Sequence, residues 1–134
     1  MPTVAPLDLS GHCLAAHFVG IVPFFAMADG TVHWLEGGHR VVQVHNGLLA
    51  VAREPMGGAL ITGGEDGRVC RVDAEGNVRE LALMARKWMT TVAAGPQGAV
   101  AFASGRTAWV RLSDGAMREF QHERSVEGLA FAPK

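Results

Sequence analysis

Histidine, cysteine and tryptophan are the residues of this chain with the most specific chemistry, and it holds six, two and three of them. His33, His39 and His45 recur every six residues, which invites a metal reading. Zinc needs three or four ligands converging at about 2.0–2.1 Å, and even spacing on neighbouring strands does not bring imidazoles together. Neither HxH nor HExxH occurs, so no metal and no other cofactor is expected. Cys13 sits beside His12 and near His17, a grouping that could activate a thiolate. Adjacent strand residues point to opposite faces, so His12 and Cys13 should diverge, and Cys13 and Cys70 both read as small buried thiols. GGEDG at 63–67 offers two carboxylates without a bidentate glutamate at calcium-loop spacing, and reads as a hairpin turn. Trp34, Trp88 and Trp109 read as core residues. The chain has no GxSxG, no Walker-type loop and no GxGxxG after a strand, so no catalytic residue is assigned and no enzyme is expected.

Twelve basic and thirteen acidic residues give a formal charge of -1, too little positive charge to condense on a nucleic-acid backbone or an anionic membrane. Neither partner is expected. Hydrophobic residues make up 49% and charged residues 19% of 134, the range of an ordinary globular chain. The start, MPTVAPLDLS, carries no charged leader, and no apolar run approaches the roughly 18 residues that span a bilayer. Two cysteines far apart, with no CxxC, fit the cytoplasm.

Positioning falls to a repeat. Gly30, Gly67 and Gly105 stand at intervals of 37 and 38, and Gly37, Gly76 and Gly115 at 39 and 39. Pro55, Pro96 and Pro133 close three short apolar segments in the same rhythm. Between these markers lie apolar runs of strand length. First strands are expected at Leu14–Phe18, Leu48–Arg53 and Met89–Ala93, and second strands at Pro23–Met27, Ala59–Thr62 and Ala99–Ala103. Third strands fall at Thr31–Leu35, Arg68–Val72 and Thr107–Leu112, and fourth strands at Arg40–His45, Val78–Leu81 and Met117–Gln121. Asp-Gly at 29–30 and 66–67, and Ser104-Gly105, supply the positive φ of tight turns between second and third strands. RELALMARKWMTTV at 79–92 has helix-forming composition, but it falls where the repeat requires strand, loop and strand. The spacing therefore predicts an all-β chain, a partial β-propeller of consecutive four-stranded antiparallel blades whose faces are buried by stacking.

ALITGGEDGRVCRVD at 59–73 resembles the most characteristic stretch of a WD repeat. HNGLLAVAREPMG from His45, SVEGLAFAPK at 125–134 and Gly11-His12 are similar to the family's opening. The chain departs from the pattern by lacking the Trp-Asp pair, with Leu35-Glu36, Val72-Asp73 and Leu112-Ser113 in its place, so it looks like a divergent, bacterial-type relative. The resemblance implies a structural network of His45, Thr62 and Asp66 in the second repeat and of His12 and Asp29 in the first. It also implies a division into a closing outer strand (1–10), blade one (11–46), blade two (47–86), blade three (87–123) and the first strand of a truncated fourth blade (124–134). Three blades cannot close a ring, so the chain is expected to be the N-terminal part of a longer propeller, and to self-associate through exposed blade faces.

The function implied is that of a non-enzymatic protein-interaction scaffold. Its contacts are expected in the loops around Arg53, Glu54 and Gln97, together with the Asp-Gly turns at the narrow face, and in the polar run REFQHER with Arg118 and Arg124. The alternative is small-ligand binding or hydrolysis in the central channel of a complete ring.

Overall fold

Strands rich in Val, Ala, Phe and Leu, punctuated by glycines at positive φ, fold back on themselves every six residues or so. The computed structural model describes residues 12–122. Twelve strands form three four-stranded antiparallel sheets among these residues, each meandering in chain order. The first blade holds β1 (Cys13–Val19), β2 (Val22–Met27), β3 (Thr31–Leu35) and β4 (His39–Gln43). The second holds β5 (Leu48–Arg53), β6 (Ala59–Gly64), β7 (Arg68–Asp73) and β8 (Val78–Leu83). The third holds β9 (Thr91–Ala94), β10 (Val100–Ser104), β11 (Thr107–Arg111) and β12 (Met117–Gln121), with a 3-10 turn at Pro96–Gly98. The segments at 1–10 and 124–134, expected as a closing strand and the start of a further blade, lie outside the described residues, as does Arg124.

The period-two alternation of strands decides the packing. In β6, Leu60 joins the core shared with blade one, and Ile61 joins the core shared with blade three. In β7, Cys70 and Val72 face blade one while Val69 faces blade three. The middle blade is thus covered on both sides, and all six residues of β6 are buried. Each such aliphatic side chain contributes about 1.5–3 kcal/mol relative to exposure.

Two stacked aromatic pairs flank this blade. Phe24 and Trp34 lie 5.3 Å apart across β2 and β3, and Phe102 and Trp109 lie 5.5 Å apart across β10 and β11. Trp34 packs so closely under the turn after β7 that a Cβ built on Gly76 would come within 2.3 Å of its ring. Gly30 and Gly67 explain one glycine series. Each takes a positive φ and lets the chain entering the next blade lie directly on the turn, with Val44 and His45 N–H groups donating to Gly30 O and Met84 N–H to Gly67 O. Gly105 belongs to a two-residue hairpin and has open space where a Cβ would stand.

Several expectations need correction. Cys13 is exposed at the start of β1, a strand of which only Val19, at its other end, joins the buried core, whereas Cys70 is buried. Trp88 is 56% exposed, since it lies in the loop after β8 and not on a strand. The first strand of blade three begins at Thr91, because Met89 N–H is drawn to Gly64 O, holding Met89 buried in the connection. The segment 79–92 is strand, loop and strand, without helix. No helix of the described residues is long and apolar enough to cross a membrane.

Candidate functional site

His45 is one of two buried polar side chains among the described residues, 2% exposed, at the entry to blade two. Its Nδ1–H donates to Asp66 Oδ1 at 2.9 Å, and the Thr62 hydroxyl, fully buried, donates to its Nε2 at 2.7 Å. This assignment leaves the imidazole neutral with both nitrogens satisfied. Desolvation holds His45 below its ordinary pKa, against the pull of the Asp66 carboxylate. Burial pushes Asp66 upward, but His45 and the backbone N–H groups of Arg68 and Asn46, all donating to its carboxylate, leave it below the usual range. Gly64 makes room for the ring, as a Cβ there would lie 2.6 Å from His45 Nδ1. The structure therefore brings His45, Thr62 and Asp66 together as a staple joining three segments of one blade.

It does not do so for His12 and Asp29. His12 is exposed, and the Asp29 carboxylate instead accepts from Thr31 N–H at 3.0 Å and the Thr31 hydroxyl at 2.6 Å. Thr62 is matched in blade one by Phe25, which offers no hydroxyl to complete such a network.

A pocket of about 270 Å³ opens between blades two and three, at the end of the sheets where first strands turn into second strands. Its lining comes from Glu54, Pro55, Met56 and Arg71 on one side and Gly95, Pro96, Gln97 and Gly98 on the other. The sequence places it here for local reasons. Pro55 and Pro96 terminate the first strands, and Glu54 is pinned through Gly57 N–H to Glu54 O and Glu54 N–H to Ala59 O. Arg71 Nε and Nη2 donate to the two oxygens of Glu54 at 2.9 and 3.0 Å, a bidentate pair of the stronger kind. Hydrogen bonding to Glu54 holds the Arg71 guanidinium above its ordinary value despite partial burial. Gln97 stands at the lip in the left-handed region, φ 58, unusual for a residue other than glycine.

This arrangement is suited to binding. The one carboxylate is committed to Arg71, arginine does not give up its proton, and Pro55, Met56 and Pro96 supply apolar walls. Met56 is 95% exposed at the rim.

Of the other expected contact residues, Arg53, at the end of β5, reaches back to blade one, where Nη1 donates to Phe18 O at 3.3 Å. Arg118 lies on the exposed outer strand β12, away from the pocket lining. The Asp-Gly turns do not share a face with Glu54 and Gln97. Antiparallel strands place the turn before β7 at the opposite end of β6, about 20 Å away at roughly 3.3 Å per residue. Arg71 was missed by motif reading. Its signal was a charged residue breaking the apolar pattern of RVCRVD.

The sheets and their stacking define the class: consecutive blades of a β-propeller with the fold of WD40 repeats. The chain is similar to the structure of U3-55K, with a TM-score of 0.74 at 14% identity over 92% of this chain and 44% of that one. It is similar to the RRP9 WD40 repeats, with 0.75 at 15% identity over 92% and 43%, and to virginiamycin B lyase from Staphylococcus aureus, with 0.67 at 13% identity over 85% and 42%. It spans less than half the length of these structures, and at such identities the likeness is one of fold. No family model and no curated protein matches the sequence.

Proposed function

We propose that this chain is a protein-interaction module without chemistry of its own, and that the pocket between Glu54–Met56 and Gly95–Gly98 receives an extended segment of a protein partner. The supporting observation is the combination of apolar rim residues with a guanidinium already fixed by its own carboxylate. Such a pocket takes an apolar side chain on its proline and methionine walls, while the Arg71 edge left over from Glu54 accepts a neighbouring carbonyl or carboxylate. The strands behind it are paired into four-stranded sheets, which favours a low ordering cost on binding.

A random peptide library displayed on phage tests this reading. Enriched peptides should shift the amide resonances of Glu54, Met56, Gln97 and Gly98, and Arg71→Ala should weaken them about tenfold. Peptides that leave these resonances unmoved, or bind Arg71→Ala equally well, would sink it.

The proposal places the chain in the cytoplasm, supported by two unpaired thiols. It also includes self-association through the open face of blade one, where Phe18 and Val41 remain more than half exposed. Sedimentation velocity showing a monomer at every concentration tried would contradict that part.

A further inference from the structure

Trp88 makes an unusual surface feature for a chain with only three tryptophans. Trp34 and Trp109 are buried in the two inter-blade cores, while Trp88 stands out on the connection from β8 to β9. That connection is held in place. Met84 N–H donates to Gly67 O at 2.8 Å, Lys87 N–H to Met84 O at 3.1 Å, Met89 N–H to Gly64 O at 3.0 Å and Thr90 N–H to Ala103 O at 3.2 Å. Arg86 adopts a positive φ of 65 to make the turn, and Met89, next in sequence to Trp88, is fully buried. The anchor beneath keeps the indole outside.

The charges adjoining Trp88 in sequence are of one sign. Arg86 and Lys87 precede it, both exposed and without an ion pair among the described residues. Arg106, in the turn between β10 and β11, is exposed at the same end of the blades. The acids here are largely occupied: Asp66 by His45 and two backbone amides, and Glu80 by Arg68 at 2.8 Å. Glu65 is the exception, and its side chain lies over Gly47, on the side toward blade one.

We infer that the Trp88 loop, with Arg86, Lys87 and Arg106, is a second docking site, which takes an acidic protein segment carrying an aromatic or aliphatic anchor. An exposed tryptophan with exposed cations beside it in the same loop is an arrangement in which aromatic contact supplies affinity and charge supplies orientation and on-rate. A nucleic acid strand is the less favoured occupant. Three basic residues neutralise few phosphates, and the chain as a whole carries a formal charge of -1. The site lies at the opposite end of the strands from the Glu54–Arg71 pocket, so it stands or falls separately from the proposed function.

Fluorescence anisotropy tests it, with a labelled peptide of Asp and Glu containing two phenylalanines, a basic peptide of equal length, and a single-stranded oligouridylate. The acidic peptide should bind best, and Trp88→Ala should weaken it at least about fivefold. The double substitution Arg86→Glu with Lys87→Glu should remove both binding and its salt dependence, and Arg71→Ala should leave binding unchanged. Arg86, Lys87 and Trp88 are exposed, so the variants at these three positions should retain the wild-type melting temperature. The inference is overturned if the acidic peptide fails to bind, if Trp88→Ala binds it equally well, if the basic peptide or the oligouridylate binds more tightly, or if Arg71→Ala abolishes binding.

Discussion

Replacing Thr62 by valine removes one hydroxyl from the centre of blade two at nearly constant volume. The hydroxyl is fully buried and donates to His45 Nε2 at 2.7 Å, and His45 is itself 2% exposed, so no water can take its place without moving the blade. A buried acceptor left unpaired costs about 1–3 kcal/mol, and the added methyl group, in a site already filled, returns little. The expected loss is about 2 kcal/mol. For a chain of this size that lowers the melting temperature by about 6–10 °C. Differential scanning calorimetry and urea unfolding at pH 7.5 would measure it, with Thr62→Ser, which keeps the hydroxyl, as the comparison. Serine should lose less than valine. A Thr62→Val protein within 0.5 kcal/mol of the wild type, or a serine variant weaker than it, would refute the claim that the hydroxyl satisfies a buried imidazole.

Other predictions follow the same logic. Gly76→Ala should destabilise by more than about 2 kcal/mol, because the new Cβ meets Trp34 at 2.3 Å on a backbone at φ 83, whereas Gly20→Ala, at φ 63 with open space, should lose only about 1 kcal/mol; chemical denaturation of both variants separates clash from backbone strain. A thiol reagent should label one cysteine per folded chain, the exposed Cys13, and reach Cys70 only on unfolding, since burial pushes that thiol to about 11. His45 and His33 are held below their ordinary pKa by desolvation, and His33 also by His39, so the unfolded chain binds protons more readily near pH 6.5. Stability measured by thermal melts should therefore fall as pH drops from 7 through 6. It should fall again below about pH 4, where Asp66 and Asp29, held low in the folded state, take up protons.

The fold was legible because turns and strands leave local marks. Gly30 and Gly67 reported the places where one blade enters the next, and Leu60 and Ile61 could be assigned to opposite faces by alternation alone. The failures arose where position depends on neighbours in space. Trp88 reads as core from composition, yet Met89 wins the buried place through its bond to Gly64. Cys13 reads as buried, but it lies at the exposed start of β1, the opposite end from Val19, which joins the core. The pocket joins Arg71 to Gly95–Gly98 across two blades, a juxtaposition that no motif spans. Conversely, Arg53 ends strand β5, beside the expected loop, but spends its guanidinium on Phe18 O within the chain.

The account rests on a middle blade covered on both faces, with the two proposed docking sites at its opposite ends. Amide hydrogen exchange followed by NMR tests this most directly. Protection should be greatest in Leu60–Gly63 and Val69–Val72, and least in the outer strands at His39–Gln43 and Met117–Gln121, whose residues are mostly exposed. Uniform protection across the three sheets, or a maximum over residues 79–92, would contradict it.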